Sequence, residues 1–279
     1  MTASLVNGQP GNLIPTSDRG LLYGDGVFET IAISKAQPRH WPRHMSRLRA
    51  GCTRLGLQPP ENKQLAAEAQ LVIEGIDRGV LKLIITRGSG GRGYRVPELA
   101  ACTRIMQVYP WPEYPAVCAE QGIIARLCAT RLGRNPALAG IKHLNRLEQV
   151  LARQEWNDAD IHEGLLMDTD DNLVEGTMSN LFIVSDGVLL TPDLSHCGVA
   201  GVMRTIILEQ AQRQRLKWRI VQLGQQDLLR ADEVFLANSL IGIWPVIAIG
   251  ETTYRIGPIT QLLQELLPDS GDDDCGWQA

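Results

Sequence analysis

Runs of apolar and β-branched residues mark the strands along this chain of 279 residues. Such runs, bounded by glycine, proline and short polar segments, are typical of buried or half-buried strands. They predict strands at residues 27–33, 80–86, 104–109, 123–128, 163–168 and 231–240. Near the start, Asn7-Gly8 is a tight-turn dipeptide of the kind that joins two short strands.

Apolar residues at helical spacing predict helices between these strands. A helix opens at His44 and places Met45, Leu48, Cys52 and Leu55 on its apolar side. A second helix is predicted over about 61–75, and a third follows the glycines at 198 and 201 and runs to about residue 215. The positions 144, 147, 150 and 151 predict a fourth, amphipathic helix.

The segment Trp111-Pro112-Glu113-Tyr114-Pro115 holds two prolines in five residues and is the best linker candidate. We therefore predict a smaller N-terminal α/β domain over 1–110, a linker over 111–117 and a larger α/β domain over 118–268. Residues 269–279 are predicted to be a disordered acidic tail.

Composition and charge exclude several classes of function. The net charge of −4 and the pI near 5.8 offer no electrostatic basis for binding nucleic acid or an anionic membrane, so an anionic substrate requires locally placed arginines. No apolar run approaches the roughly 18 residues of a membrane span, and the N-terminus does not read as a signal peptide. The 6 cysteines are scattered without zinc-ligand spacing; we expect reduced thiols in a cytoplasmic protein and no metal.

Lys142 lies at or just before the start of the predicted amphipathic helix, held by a turn at Pro136 and Gly140. Spacing alone favours an ordinary solvated lysine. The segment 140–146, Gly-Ile-Lys-His-Leu-Asn-Arg, nevertheless resembles the cofactor-lysine segment of the fold-type IV pyridoxal-phosphate enzymes. Within that family it is most similar to the aminodeoxychorismate lyase subgroup.

Two further segments carry the same resemblance. Residues 17–30, with Asp-Arg-Gly followed by Tyr-Gly-Asp-Gly-Val-Phe-Glu-Thr, are similar to the strand that lines the family's cofactor site. Residues 175–182 match its Glu-x-x-x-x-Asn-(Leu/Ile)-Phe motif. The resemblance implies that Glu175 pairs with the pyridine nitrogen of the cofactor and that Asn180 lies at the cofactor site. Without the resemblance, the sequence would predict Glu175 to be a surface residue near a turn.

The family's phosphate anchors also have counterparts. Arg47 falls where the family places an arginine on the phosphate, a task suited to the planar guanidinium fork. The glycines ahead of the third helix resemble the family's phosphate turn, which assigns the backbone N–H groups of Val202 and Met203 to that ligand. Ser239, at the end of the 231–240 strand, is the remaining candidate for a phosphate contact.

A glycine-rich loop, Arg-Gly-Ser-Gly-Gly-Arg-Gly-Tyr, occupies residues 87–94. It is neither a P-loop nor a dinucleotide fingerprint, and one such loop in an acidic chain is weak evidence for RNA binding. A very similar loop borders the substrate entrance in the lyase subgroup. Arg92 is accordingly the candidate for a substrate carboxylate, Arg87 is the alternative, and Tyr109 is a further candidate for substrate contact.

The resemblance implies a two-domain fold of the D-amino acid aminotransferase type, with mixed α/β domains, pyridoxal 5'-phosphate in the cleft between them, and a homodimer. The implied reaction is elimination from 4-amino-4-deoxychorismate to give 4-aminobenzoate, a folate precursor, and pyruvate. Lys142 would remove the C4 proton, with Thr30 as a proton relay. The alternative is an aminotransferase of the same fold acting on branched-chain or D-amino acids.

Overall fold

The computed structural model describes residues 4–98 and 100–267, which divide into two compact units. Unit 1 contains residues 4–112 together with Ile141–Asn145, and unit 2 contains residues 113–140 and 146–267. The predicted division differs at 141–145, which it placed in the C-terminal domain. The predicted acidic tail over 269–279 lies outside the described residues.

Unit 1 is built on an antiparallel sheet with the strand order β2-β1-β6-β5-β3-β4. Its elements are β1 (Ser4–Val6), β2 (Gln9–Pro10), α1 (Arg19–Tyr23), β3 (Gly26–Ser34), β4 (Gln37–Pro38), α2 (Trp41–Arg54), α3 (Asn62–Ile73), β5 (Arg78–Thr86) and β6 (Thr103–Tyr109). The predicted hairpin is confirmed, since Asn7 and Gly8 have φ of 52° and 79° between β1 and β2.

Strand β3 presents two different faces. Val27, Glu29 and Ile31 are buried, whereas Phe28 and Thr30 are only half-buried, as the period-2 alternation of a strand requires. The buried apolar residues of β3 share a core with apolar residues of β5, α2 and α3. The predicted strands 27–33 and 80–86 are confirmed, and α2 begins earlier than predicted, because the chain turns into the helix at Trp41 with Pro42 in its first turn.

Unit 2 contains a nine-stranded mixed sheet. Its elements are α4 (Val117–Glu120), β7 (Ile123–Leu132), α5 (Leu147–Arg153), β8 (Ile161–Asp168), β9 (Leu173–Gly176), β10 (Asn180–Ser185), β11 (Val188–Pro192), α6 (Val202–Arg213), β12 (Lys217–Val221), α7 (Gln225–Leu229), β13 (Glu233–Asn238), β14 (Gly242–Ile249), β15 (Thr252–Thr253) and α8 (Pro258–Leu266).

The sheet of unit 2 closes on itself. Its order is β12-β11-β10-β13-β14-β7-β8-β9, and β9 also pairs with β10 through Glu175 and Asn180. Strands β10, β13, β14, β7, β8 and β9 therefore form a ring, and β15 pairs with β14 outside it. The pairing that closes the ring places the two motif residues Glu175 and Asn180 opposite each other.

The prediction that Lys142 lies at or just before the start of a helix is wrong. Helix α5 begins only at Leu147, and residues 141–146 contain bends and an isolated bridge but no helix. In unit 1 the N–H of Phe28 donates to the carbonyl of Lys142 over 2.9 Å, and the N–H of Leu144 donates to the carbonyl of Gly26 over 3.0 Å. Pairing with β3 satisfies backbone N–H and carbonyl groups that would otherwise bond within a helix. The segment therefore runs alongside β3.

Candidate functional site

In unit 1, the side chain of Lys142 lies against β3. Its Nζ atom is 4.5 Å from the centroid of the Phe28 ring. The backbone bridge between Val27 and His143 fixes the segment beside the strand. Thr30 projects from the same face of β3 as Phe28, so the hydroxyl of Thr30 is on the side of the sheet that carries the lysine.

The opposite face of β3 carries a buried carboxylate, Glu29. Nε and Nη2 of Arg47 donate to its two oxygens over 2.8 and 2.5 Å, and Nδ1 of His44 lies 2.6 Å from Oε2. Because the carboxylate is an acceptor, this assigns the His44 proton to Nδ1. Glu29 therefore orients the guanidinium of Arg47, the predicted phosphate anchor.

The pKa shifts of Glu29 and His44 follow from the contacts around the buried carboxylate. Burial opposes ionisation of Glu29, but the charge and hydrogen bonds of Arg47, together with His44, outweigh it and lower the pKa of Glu29 to about 2. Burial lowers the pKa of His44; the Glu29 carboxylate opposes this, while the charges of Arg47 and Lys142 lower it further. The ring is therefore neutral near pH 7, which leaves Arg47 as the cationic partner of Glu29.

In unit 2, Glu175 is buried at the end of β9. Its Oε2 atom accepts a hydrogen bond from the N–H of Val199 over 2.8 Å. Nδ2 of Asn180 donates to the carbonyl of the same Val199, also over 2.8 Å. The two motif residues thus hold one peptide of the turn that precedes α6.

That turn leads into an uncapped helix N-terminus. Gly201 is the N-cap of α6 and supplies no side chain to accept from the N–H groups of the first turn, where Val202 and Met203 lie. A Cβ atom at Gly201 would collide with Oδ1 of Asn180. The close approach requires glycine here, and a helix that begins this way is a suitable site for an anion.

Gly140 joins the same turn. Its N–H donates to the carbonyl of Gly198 over 2.9 Å, and its carbonyl accepts from the N–H of Ala200 over 3.0 Å. Gly140 has φ of +78°, a conformation that glycine adopts readily. The chain therefore enters the Lys142 segment from a peptide that is fixed on the turn before α6.

Glu163 organises the turn between β9 and β10, and sequence reasoning missed it. The buried carboxylate accepts from the N–H groups of Thr177 and Met178 and from the hydroxyls of Thr177 and Ser179, over 2.5–3.2 Å. A glutamate within an apolar strand was the available signal, since such a side chain is seldom buried without partners. Nδ2 of Asn238 donates to the carbonyl of Met178 over 3.1 Å, which brings the end of β13, next to Ser239, to this turn.

In unit 1, the two arginines of the glycine-rich loop have different environments. Arg87 is buried: its Nε and Nη2 bind Asp25 over 2.7 and 2.9 Å, and Nη1 and Nη2 bind the carbonyls of Gly56 and Leu55. Burial of Asp25 opposes its ionisation, but Arg87 and Arg19 lower its pKa overall. Arg92, by contrast, is exposed on the loop. The internal network leaves Arg87 poorly placed for a substrate, so Arg92 is the better candidate.

Tyr109 is not brought to the glycine-rich loop. In the β5–β6 pair, Thr103 lies opposite Thr86 beside the loop, whereas Tyr109 lies opposite Val80 at the other end. The Tyr109 hydroxyl donates to Oε1 of Gln107 over 2.9 Å, and the side chain is exposed. Its predicted contact with substrate stays a prediction.

Two other kinds of site are absent from the described residues. Within 4–98 and 100–267, no group of three or more His, Cys, Asp or Glu side chains is arranged to hold a metal ion. In the same ranges, no helix combines the length and apolar character that crossing a bilayer demands.

Comparison with known proteins gives concordant matches. The sequence profile of the family described as amino-transferase class IV matches residues 26–249. The aminodeoxychorismate lyase of Vibrio harveyi is 36% identical over 93% of this chain and 97% of its own length. The crystal structure of 4-amino-4-deoxychorismate lyase from Pseudomonas aeruginosa is 47% identical, with a TM-score of 0.92 over 95% of this chain and 97% of that one. The structure of the branched-chain amino acid aminotransferase of Escherichia coli is 25% identical, with a TM-score of 0.85. It covers 99% of this chain and 97% of its own.

Proposed function

Because the chain belongs to the class IV amino-transferase family, we propose that it is a pyridoxal-phosphate-dependent lyase that converts 4-amino-4-deoxychorismate into 4-aminobenzoate and pyruvate. The observation that carries the choice of lyase is the greater likeness, in sequence and in structure, to the Pseudomonas aeruginosa lyase than to the Escherichia coli aminotransferase. The product 4-aminobenzoate would serve as a folate precursor.

The residues of each unit fit the proposed cofactor. Pyridoxal phosphate carries a phosphate dianion and a pyridine nitrogen. The uncapped N-terminus of α6 offers the N–H groups of Val202 and Met203 for the phosphate, with Ser239 and Arg47 as further donors in the proposal. Glu175, a buried carboxylate beside the turn, is the proposed partner of the pyridine nitrogen, and Asn180 holds that turn in place.

The chemistry follows from these residue types. Bound pyridoxal phosphate supplies an electron sink that stabilises negative charge at the substrate carbon. Glu175 would keep the ring nitrogen protonated, and Lys142 would hold the cofactor through its amine and would remove the proton from C4 of the substrate. The C3–O bond would then break, so that the ring becomes aromatic and the departing enolpyruvate takes up a proton to become pyruvate.

Thr30 is proposed to relay a proton in this step, because its side chain and Lys142 lie on the same face of β3. Arg92 is proposed to bind a substrate carboxylate. Its guanidinium forms no hydrogen bond or ion pair with the part of the chain that the structure describes, whereas Arg87 is bound to Asp25. A planar guanidinium suits a carboxylate through paired donors.

We also propose a homodimer in the cytoplasm. The homodimer rests on the family resemblance, and light scattering coupled to size exclusion tests it. For the compartment, the support is that Cys52, Cys102, Cys118, Cys128 and Cys197 are free thiols. Burial raises the pKa of Cys52 to about 12, which makes that thiol unreactive.

The test is a coupled assay with purified protein, pyridoxal phosphate and 4-amino-4-deoxychorismate, in which lactate dehydrogenase reports pyruvate through NADH consumption. We expect pyruvate release by the wild type and none above background by Lys142→Ala. Lys82→Ala is the matched control, because Lys82 also lies near the Phe28 ring, at 5.5 Å, on strand β5. Absence of pyruvate, with amino-group transfer from a branched-chain or D-amino acid, would instead identify an aminotransferase.

A further inference from the structure

Arg19 is a buried arginine in the short helix α1, and its side chain reaches the glycine-rich loop. Nη1 donates to the carbonyl of Gly93 over 2.9 Å, and Nη2 donates to the carbonyl of Tyr94 over 3.3 Å. Nε donates to Oδ2 of Asp25 over 2.9 Å, so all three nitrogens of the guanidinium are engaged. A rigid fork that spans two successive carbonyls fixes the direction of that stretch of backbone.

Tyr23, one helical turn after Arg19, completes the arrangement. The guanidinium carbon of Arg19 lies 4.8 Å from the centroid of the Tyr23 ring. The hydroxyl of Tyr23 accepts a hydrogen bond from the N–H of Gly93 over 3.2 Å, and the rings of Tyr23 and Tyr94 lie 5.4 Å apart. Both polar groups of Gly93 are thus held by side chains of α1.

The base of the loop is fixed by the residue before Arg19. The carboxylate of Asp18 caps α1 by accepting from the N–H of Gly20, and its other oxygen accepts from the hydroxyls of Thr86 and Thr103 over 3.0 and 2.7 Å. Thr86 ends β5 and Thr103 begins β6, so Asp18 joins the two strands that enter and leave the loop. The tip is different: Gly91, Arg92 and Tyr94 are exposed.

A glycine-rich loop with an exposed tip is here held by several polar contacts. A surface loop rich in glycine loses much conformational entropy when it is ordered. Apolar packing cannot provide the compensation at an exposed tip. Here Arg19 and Tyr23 provide the compensation, because they bind Gly93 and Tyr94, the two residues that directly follow Arg92.

We propose that Arg19 is a positioning residue for the substrate: through the carbonyls of Gly93 and Tyr94 it holds the loop so that Arg92 presents its guanidinium to a substrate carboxylate. Tyr23 assists through the N–H of Gly93. This inference rests on the proposed lyase function. It predicts that Arg19 acts on substrate binding through Arg92, without contact to the reacting atoms.

The first test is limited proteolysis of the Arg19→Lys holoenzyme. A lysine retains the charge beside Asp25 but not the fork, so the loop opens more often. We expect trypsin to cleave after Arg92 and Arg95 about tenfold faster than in wild type, from the loss of two hydrogen bonds. Cleavage is followed by mass spectrometry of the fragments. Cleavage at the wild-type rate would overturn the proposal.

The second test separates substrate positioning from general stability. In the coupled assay, Arg19→Lys is expected to raise KM about tenfold and to leave kcat within about twofold. Its affinity for pyridoxal phosphate should equal that of wild type. An unchanged KM, or a fall in kcat and in cofactor affinity together, would mean that Arg19 serves the fold and not the substrate.

Two variants complete the design. Tyr23→Phe removes only the hydroxyl bound to Gly93 and should raise both cleavage rate and KM by a smaller factor, about threefold; it decides the proposal if Arg19→Lys does not fold. Arg95→Lys is the matched control, because Arg95 directly follows the glycine-rich loop and pairs only with the exposed Glu98 at 3.4 Å among the described residues. If wild type releases no pyruvate, the lyase proposal fails and the substrate role of Arg19 fails with it, while proteolysis still reports whether Arg19 orders the loop.

Discussion

The N–H of Val199 donates a hydrogen bond to Oε2 of Glu175 over 2.8 Å, between two buried groups. The bond joins the acidic residue of β9 to the turn that begins α6. The proposed partner of the pyridine nitrogen and the proposed phosphate site are therefore parts of one local structure in unit 2.

Replacing Glu175 with glutamine tests its proposed charge. The amide oxygen can still accept from Val199, so the turn and the bound cofactor should be retained. The neutral amide does not keep the pyridine nitrogen protonated, and we expect kcat to fall on the order of 100-fold. The measurement is kcat together with cofactor content by absorbance. A kcat within twofold of wild type would remove Glu175 from the proposed role.

Gly201→Ala tests the phosphate turn. Because the added Cβ would collide with Asn180, the turn must shift, and we expect pyridoxal phosphate to bind at least about tenfold more weakly. Cofactor affinity is measured by fluorescence titration of the apoprotein. Gly224→Ala is the matched control: this glycine also precedes a helix of unit 2, and its Cβ would have only an ordinary contact, 3.9 Å from Asp227. Equal affinities for the two variants would contradict the prediction.

Glu163→Ala tests the β9–β10 turn. The substitution removes a buried acceptor from the hydroxyls of Thr177 and Ser179 and from three backbone N–H groups, those of Gly164, Thr177 and Met178. We expect a loss of about 3 kcal/mol in the free energy of unfolding, measured by urea denaturation of the apoprotein. Glu98→Gln, which removes an exposed ion pair, should change it by less than about 0.5 kcal/mol.

Glu29 predicts a loss of stability in acid. Its pKa of about 2 in the folded protein lies below the ordinary value of 4.5, so the unfolded chain binds the proton first as pH falls. The contribution of Glu29 is fully present above pH 4.5 and is lost between pH 4.5 and about 2, to the extent of about 3 kcal/mol. Urea denaturation at several pH values in this window measures it.

The matched variant is Glu29→Gln, which does not titrate. It should be less stable than wild type at pH 7, because it removes the buried carboxylate that pairs with the guanidinium of Arg47. Its free energy of unfolding should also fall less steeply between pH 4.5 and pH 3. Parallel curves for the two proteins would assign the acid sensitivity to other groups.

Local patterns in the sequence predicted local structure well. The Asn7-Gly8 hairpin, the β3 strand and the glycine turn before α6 follow from backbone preferences of a few residues, and all three are present. The Lys142 segment was mispredicted as a helix start because its partner, β3, lies more than a hundred residues earlier in the chain. Helical spacing after Leu144 contains no information about such a strand.

Polar contacts between residues far apart in the chain could not be predicted from the sequence either. From the sequence, Arg92 is the candidate for the substrate carboxylate and Arg87 is the alternative. The contacts of Arg87 with Asp25, Gly56 and Leu55, which no sequence pattern shows, count against the alternative. Several partners of Glu163 and Arg19 are backbone carbonyl and N–H groups, which any residue type provides. No pattern of side chains therefore points to those partners.

Strand β3 has a consequence for how this protein can evolve. Its alternation directs Glu29 to the interior beside Arg47 and Thr30 to the side of Lys142. Inserting or deleting one residue would exchange the two faces over the rest of the strand and bury a hydroxyl where the carboxylate belongs. Changes in length should therefore be tolerated in exposed loops but eliminated by selection in β3, so descendants of this gene would diversify by substitution there and by insertion elsewhere.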